Sequence, residues 1–273
     1  MQPHPSEQYQ LSTLVKKIVV LLAVAVFLVV AMRTALLVAN LRTQQRSESL
    51  LASLLQLQVG TTQLSDAKPL LESYGAKELP RGNCFEPSIG YGILESNKFI
   101  DSLGTQHPFL LKLGLRPVGT TATLSFAGGR LCQYKYSASA LITGAQLPQK
   151  DKSLNSAELI ELRASTTVFP GQLGQRPDDE NYQIRYFRSL LSGVGSAGWT
   201  VGLDVNVASN AKQSDLDRGR AFDLSCFSSF GQCRTLCQLL PFASRDAIQR
   251  SEHQELSIPE DEIDLVTCTN TRR

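Results

Sequence analysis

An unbroken apolar run near the N-terminus, Ile18 to Met32 (IVVLLAVAVFLVVAM), constrains this chain more than any other feature. A helix without a polar face has nothing to turn toward water, so it belongs in a membrane or a dry core. Fifteen residues of helix span only about 22 Å, short of a hydrocarbon layer of roughly 30 Å. Continuing to Ala39 gives 22 residues, which is enough, and places Arg33 within two turns of the far end. From there its guanidinium reaches the head groups. Lys16, Lys17 and Arg33 are therefore read as the membrane flanks. A cleaved signal peptide is the first rival, with small residues at Val30-Ala31 and Val38-Ala39, but the leading segment is long and neither site is A-x-A. A buried core helix is the second.

The expected plan is a short cytoplasmic tail (1–17), a transmembrane helix (18–39), a juxtamembrane stalk helix (40–60) and an extracytoplasmic α+β domain (61–273) with an acidic C-terminal segment. Two lysines directly before the apolar run favour a cytoplasmic N-terminus. The net charge of +2 sits in the first 40 residues, where Lys16, Lys17 and Arg33 oppose Glu7. A neutral remainder offers no electrostatic footprint for a phosphate backbone, so no nucleic-acid partner is expected. With 42% hydrophobic and 19% charged residues overall, the chain can build a packed core.

All six cysteines, Cys84, Cys132, Cys226, Cys233, Cys237 and Cys268, fall in that remainder. An even count there fits disulfides in an oxidising compartment. Six cysteines allow 15 pairings, so the connectivity stays open, although Cys226 and Cys233 bracket a glycine-containing turn and form the first pair to expect. No C-x-x-C occurs, and Cys226-x6-Cys233-x3-Cys237 lacks zinc spacing, so neither a metal nor a redox dithiol is expected.

Leu41–Val59 has helical apolar spacing and stops at Gly60, and Thr61–Tyr74 gives a second short helix with Ser65 as N-cap and Gly75 at the C′ position. Leu79–Ile89 reads as loop. From Phe109 the period becomes two. Strands are expected at Thr120–Phe126, Arg130–Tyr136, Leu159–Val168, Tyr182–Leu190, Trp199–Val207 and Ala221–Cys226, with an edge strand at Ile263–Cys268. For the first hairpin a three-residue loop is preferred, setting Leu124 opposite Cys132 and Ala122 opposite Tyr134. That register turns Ala122, Leu124, Cys132, Tyr134 and Tyr136 inward. The fold class follows as α+β on an antiparallel sheet, with a β-sandwich as the alternative.

No segment carries a catalytic or cofactor motif. Gly193–Gly198 matches G-x-G-x-x-G, but a strand follows where a dinucleotide site needs a helix. Asp178-Asp179-Glu180 and Glu260-Asp261-Glu262 lack calcium-loop spacing. Ser251–Asp264 holds six acidic residues without Lys or Arg and reads as a solvated segment. Tyr134, Tyr136, Tyr182, Tyr186 and Trp199 at strand spacing read as core. The expectation is a non-enzymatic binding or interaction module anchored in the inner membrane of a bacterial-type envelope, with an envelope protein as partner and no cofactor. The alternatives are a membrane-anchored hydrolase drawing on His107, His253 or Asp204, and a structural subunit of an envelope complex.

Overall fold

A computed structural model describes residues 5–84, 87–107, 109–112, 115, 117–144, 159–171, 181–191, 198–229 and 233–268. The chain divides into two compact units, Met1–Ala39 and Asn40–Arg273. Helix α1 (Pro5–Leu55) belongs to both. α1 begins at Pro5, within the segment expected to be a short tail. It contains the one helix among the described residues that is long and apolar enough to cross a membrane. Its best window has a mean hydropathy of 2.7, and none of that window is buried. Exposed Val20, Leu21, Phe27 and Leu28 make it unfit for water and suited to lipid. Among the described residues the chain thus has one helix fit by length and composition to span a membrane, consistent with single-span membrane association, and an α+β domain follows it.

Within the second unit, seven strands form one sheet in the order β1-β2-β3-β4-β5-β7-β6. They are β1 (Lys77–Leu79), β2 (Ser88–Ser96), β3 (Val118–Ala127), β4 (Arg130–Ile142), β5 (Ile160–Phe169), β6 (Tyr182–Leu190) and β7 (Trp199–Ala208). All neighbours are antiparallel except β5 and β7, because β7 inserts between β5 and β6. The described strands build a single sheet, so the stacked second sheet of a sandwich is not among them.

One face of this sheet is apolar. Ala122, Leu124, Tyr136, Leu162, Leu203 and Val205 on it are all buried. The helices that cover it are the end of α1, α2 (Leu64–Ser73), α5 (Gln213–Arg220), α6 (Pro241–Glu252) and the short α7 (Ile263–Val266). Away from this face lie α3 (Lys98–Gln106), capped by the Asn97 side chain at 3.2 Å from the amides of Phe99 and Ile100, and α4 (Phe109–Lys112).

The segment read as a stalk is packed into the core. Asn40, Thr43, Ser47, Leu50 and Leu54 recur at helical spacing and are buried. Ser47 shares a 2.8 Å hydrogen bond with Thr120, and the Tyr136 hydroxyl donates to the Ser47 carbonyl at 3.1 Å. Arg46 grips Glu95 with two contacts, of 2.7 and 2.9 Å. Because Leu54 is fully buried, Leu54→Ala should lower unfolding free energy by about 3 kcal/mol, where a solvated stalk would tolerate the change. A denaturant titration of the detergent-solubilised chain checks it.

The hairpin register differs from the expected one. Gly128 and Gly129, with φ of +56° and +77°, make a two-residue turn that pairs Ala127 with Arg130. A bulge between Ser125 and Phe126 then shifts the register, setting Leu124 opposite Tyr134 and Ala122 opposite Tyr136. The extra residue on β4 removes Cys132 from the inward set, leaving it half-buried, while Leu131 takes the core position.

Other expectations also shift. β2 starts inside the expected loop, with Gly90 and Gly92 reducing its strand signal. Gly90 is needed there, since a Cβ would lie 3.0 Å from the Arg81 carbonyl of the adjacent chain. Gln63, not Ser65, caps α2, and its side chain and Asp66 form a reciprocal capping box. Gly75 does take the left-handed position, at φ +58°. Ala221–Cys226 is not a strand: a 3-10 turn at Ser225–Phe227 ends it, and its alternation arises because Phe222 meets Tyr136 edge-to-face at 4.8 Å and Leu224 is buried. The expected edge strand at Ile263–Cys268 is helix α7 followed by a short exit.

Candidate functional site

The sheet and α6 together build a cleft of about 490 Å³ lined by Tyr182, Arg218, Asp246, Gln249, Arg250, Glu252 and His253. Local sequence explains its layout. Asp246, Gln249, Arg250 and His253 recur at i, i+3, i+4 and i+7 on α6, while Ala243, Ser244 and Ala247 bury its other side. Tyr182 is supplied by the first position of β6 and Arg218 by α5.

Asp246 accepts 2.6 Å from Arg218 and 3.0 Å from the Tyr182 hydroxyl. The two guanidinium groups of Arg218 and Arg250 lie 5.7 and 5.9 Å from the Tyr182 ring centre, within cation–π range. Arg250 also donates to the Tyr182 carbonyl at 3.4 Å. Burial first, and then the Asp246 charge, push the Tyr182 phenol well above its ordinary range. It is therefore a proton donor at neutral pH and no base. The Asp246 hydrogen bond holds the Arg218 guanidinium charged, raising its already high value. A carboxylate neutralised by arginine and a phenol locked in its neutral form make a fixed array of donors, suited to binding more than to proton transfer.

The opposite, outer face of the sheet is polar. Lys135 of β4 reaches across β5 to Asp204 at 3.4 Å, and the Ser165 hydroxyl donates to the same carboxylate. In the next row Arg163 pairs with Glu161 at 2.7 Å, and Thr200 donates to Glu161 at 3.1 Å. These pairs are half-exposed and internally matched, as a solvated sheet face requires.

The three residues named for a hydrolase lie in three places. Asp204 is on the outer sheet face, His253 caps α6 over the other face, and His107 ends α3 with its ring 6.1 Å from Phe109. No nucleophile–base–orienter set joins them among the described residues. No group of three metal-ligating side chains occurs among those residues either. Most of the G-x-G-x-x-G segment, and Asp178-Asp179-Glu180, lie outside the described residues.

Aromatic residues at strand spacing serve the core. Tyr134, Tyr136 and Tyr182 are buried, and Tyr186 and Trp199 pack against the same cluster. The acidic segment is not wholly solvated, because Glu262 is fully buried. It takes a 2.6 Å ion pair from Arg188 and a hydrogen bond from the Tyr186 hydroxyl. Arg188 in turn lies 4.1 Å from the Trp199 ring centre.

The cysteines form three pairs at disulfide distance: Cys84–Cys132, Cys226–Cys233 and Cys237–Cys268, with Cα separations of 6.2, 5.0 and 5.2 Å. The local pair favoured by spacing is one of them. Sequence reasoning missed the cleft because its partners come from residues 182, 218 and 246. Only the helical spacing of Asp246, Gln249, Arg250 and His253 could have signalled one side of it.

Compared with known protein families, with curated proteins and with solved structures, the chain matches none.

Proposed function

We propose that this chain is a non-enzymatic binding module, anchored by α1 in the inner membrane of a cell envelope with its N-terminus cytoplasmic and its domain extracytoplasmic. The observation that carries this reading is the placing of all six cysteines in three pairs inside the unit that follows one membrane-length helix. Lys16 and Lys17 before the apolar run support the orientation. The Tyr182–Asp246 cleft supports binding, since its polar groups are preorganised and its carboxylate is already neutralised. It is the surface offered to an envelope partner.

Intact mass of the full-length chain, purified without reductant and alkylated before and after reduction, tests compartment and anchorage together. The expected result is a retained N-terminus, no reactive thiol before reduction and six after it. Six reactive thiols from the outset would put the domain in a reducing compartment. Loss of roughly 30 N-terminal residues would mark a cleaved signal peptide and a released protein. A photo-crosslinking residue at Gln249 tests the cleft in living cells. One discrete adduct is expected there, and its absence at Gln249 sinks the cleft as the binding surface.

A further inference from the structure

The second unit carries a larger groove between two of its own helices. The end of α1 and one side of α2 line an open groove of about 850 Å³. Arg42, Gln45, Arg46 and Ser49 line it from α1 at i, i+3, i+4 and i+7, the face turned away from the buried Asn40–Leu54 stripe. Ser73 and Tyr74 line it from α2 and its end.

The charges of this groove are unequally committed. Arg46 is held by Glu95 and lies 5.8 Å from the Tyr74 ring centre. Asp66 at the far end accepts from the Gln63 amide in the α2 capping box. Arg42 is exposed and has no ion pair or hydrogen bond among the described residues. The groove thus holds one uncommitted guanidinium flanked by the neutral donors Gln45 and Ser49. That is the chemistry that takes a phosphodiester.

Chain length alone fixes where such a group would be met. Arg42 lies three residues beyond Ala39, the last residue of the apolar stretch, so the two Cα atoms are at most about 11 Å apart whatever the local angle. The head-group layer extends roughly 5–7 Å beyond the hydrocarbon on each side. An arginine side chain covers the difference.

We infer that the α1–α2 groove is a head-group site for one anionic phospholipid, whose phosphodiester pairs with Arg42 and, unlike that of phosphatidylcholine, is not already balanced by a cation on its own head group. The inference rests on the membrane anchorage proposed above. It adds a lipid ligand distinct from the partner assigned to the Tyr182 cleft.

The test uses the full-length chain in mild detergent with an equimolar mixture of phosphatidylcholine and phosphatidylglycerol, read by native mass spectrometry. One phosphatidylglycerol per chain should be retained over phosphatidylcholine by about tenfold. Arg42→Gln should bring the two lipids to near-equal retention, and Arg33→Gln should leave the preference intact. Equal retention by the unaltered chain, or an undiminished preference in Arg42→Gln, overturns the site. Displacement of the lipid by millimolar inorganic phosphate would make the groove a free-phosphate site and overturn the lipid assignment. A chain that partitions into lipid but shows no preference fails this inference alone. A chain that never partitions into lipid fails the anchorage as well.

Discussion

Replacing Glu262 with alanine is expected to lower the stability of the domain by about 3–5 kcal/mol, among the largest effects of any single change in this chain. Glu262 is fully buried, and its two oxygens are taken by Arg188 and the Tyr186 hydroxyl. Truncating it removes the buried carboxylate that Arg188 meets at 2.6 Å and the acceptor of the Tyr186 hydroxyl. Glu262→Gln keeps the shape and the hydrogen bond from Tyr186, so it should cost less than alanine. Trp199 is the only tryptophan and lies beneath the Arg188 guanidinium, so its fluorescence follows this cluster directly. A urea titration read at Trp199 should show the alanine midpoint well below the parent, with glutamine between them. Coincident curves for all three would mean the acidic segment is solvated after all.

Removing the Cys84–Cys132 link as a double serine variant is expected to cost about 4 kcal/mol. That estimate is the chain-entropy value for a loop closed over a separation of 48 residues. The loop contains β1's outgoing turn, all of β2 and all of β3, so the unfolded chain gains much freedom when it opens. Removing Cys226–Cys233, separated by only 7 residues, should cost less in the same model. Thermal unfolding of both variants in non-reducing detergent solution gives the comparison. The ordering is the informative part: a larger loss from the short loop would point to strain or packing at Cys226, which is buried beside Phe227.

The sequence exposed β7 and β6 well because their apolar and polar residues alternate. Trp199 to Val207 places every odd residue on the apolar face, and the observed strand adds only Ala208. Tyr182–Leu190 was read with its observed limits for the same reason. It hid β2, where Gly90 accommodates a close backbone and Gly92 adds no side chain, so the residues that mark a strand are missing. The bulge at Cys132 was invisible because a register shift depends on pairing between strands, which no single-strand pattern records. α5 and the Tyr182 cleft were missed for a related reason. Arg218 and Asp246 look like surface charges until the chain brings both to one tyrosine. Glu262 looked solvated because its neighbours are acidic, yet its partner Arg188 lies 74 residues earlier.

The buried stripe on α1 gives that helix a fixed phase. Asn40, Thr43, Ser47, Leu50 and Leu54 must face the sheet together, and each added residue turns everything before it by about 100°. One residue inserted between Ser47 and Leu50 would swing Asn40, Thr43 and Ser47 out of the seam while the leucines stayed put, parting Ser47 from Thr120 and Tyr136. Two full turns come close to seven residues, so an insertion of about that length nearly restores the facing, but about 10 Å further along the axis. The span and the domain are joined by a segment whose residue count is part of its fit.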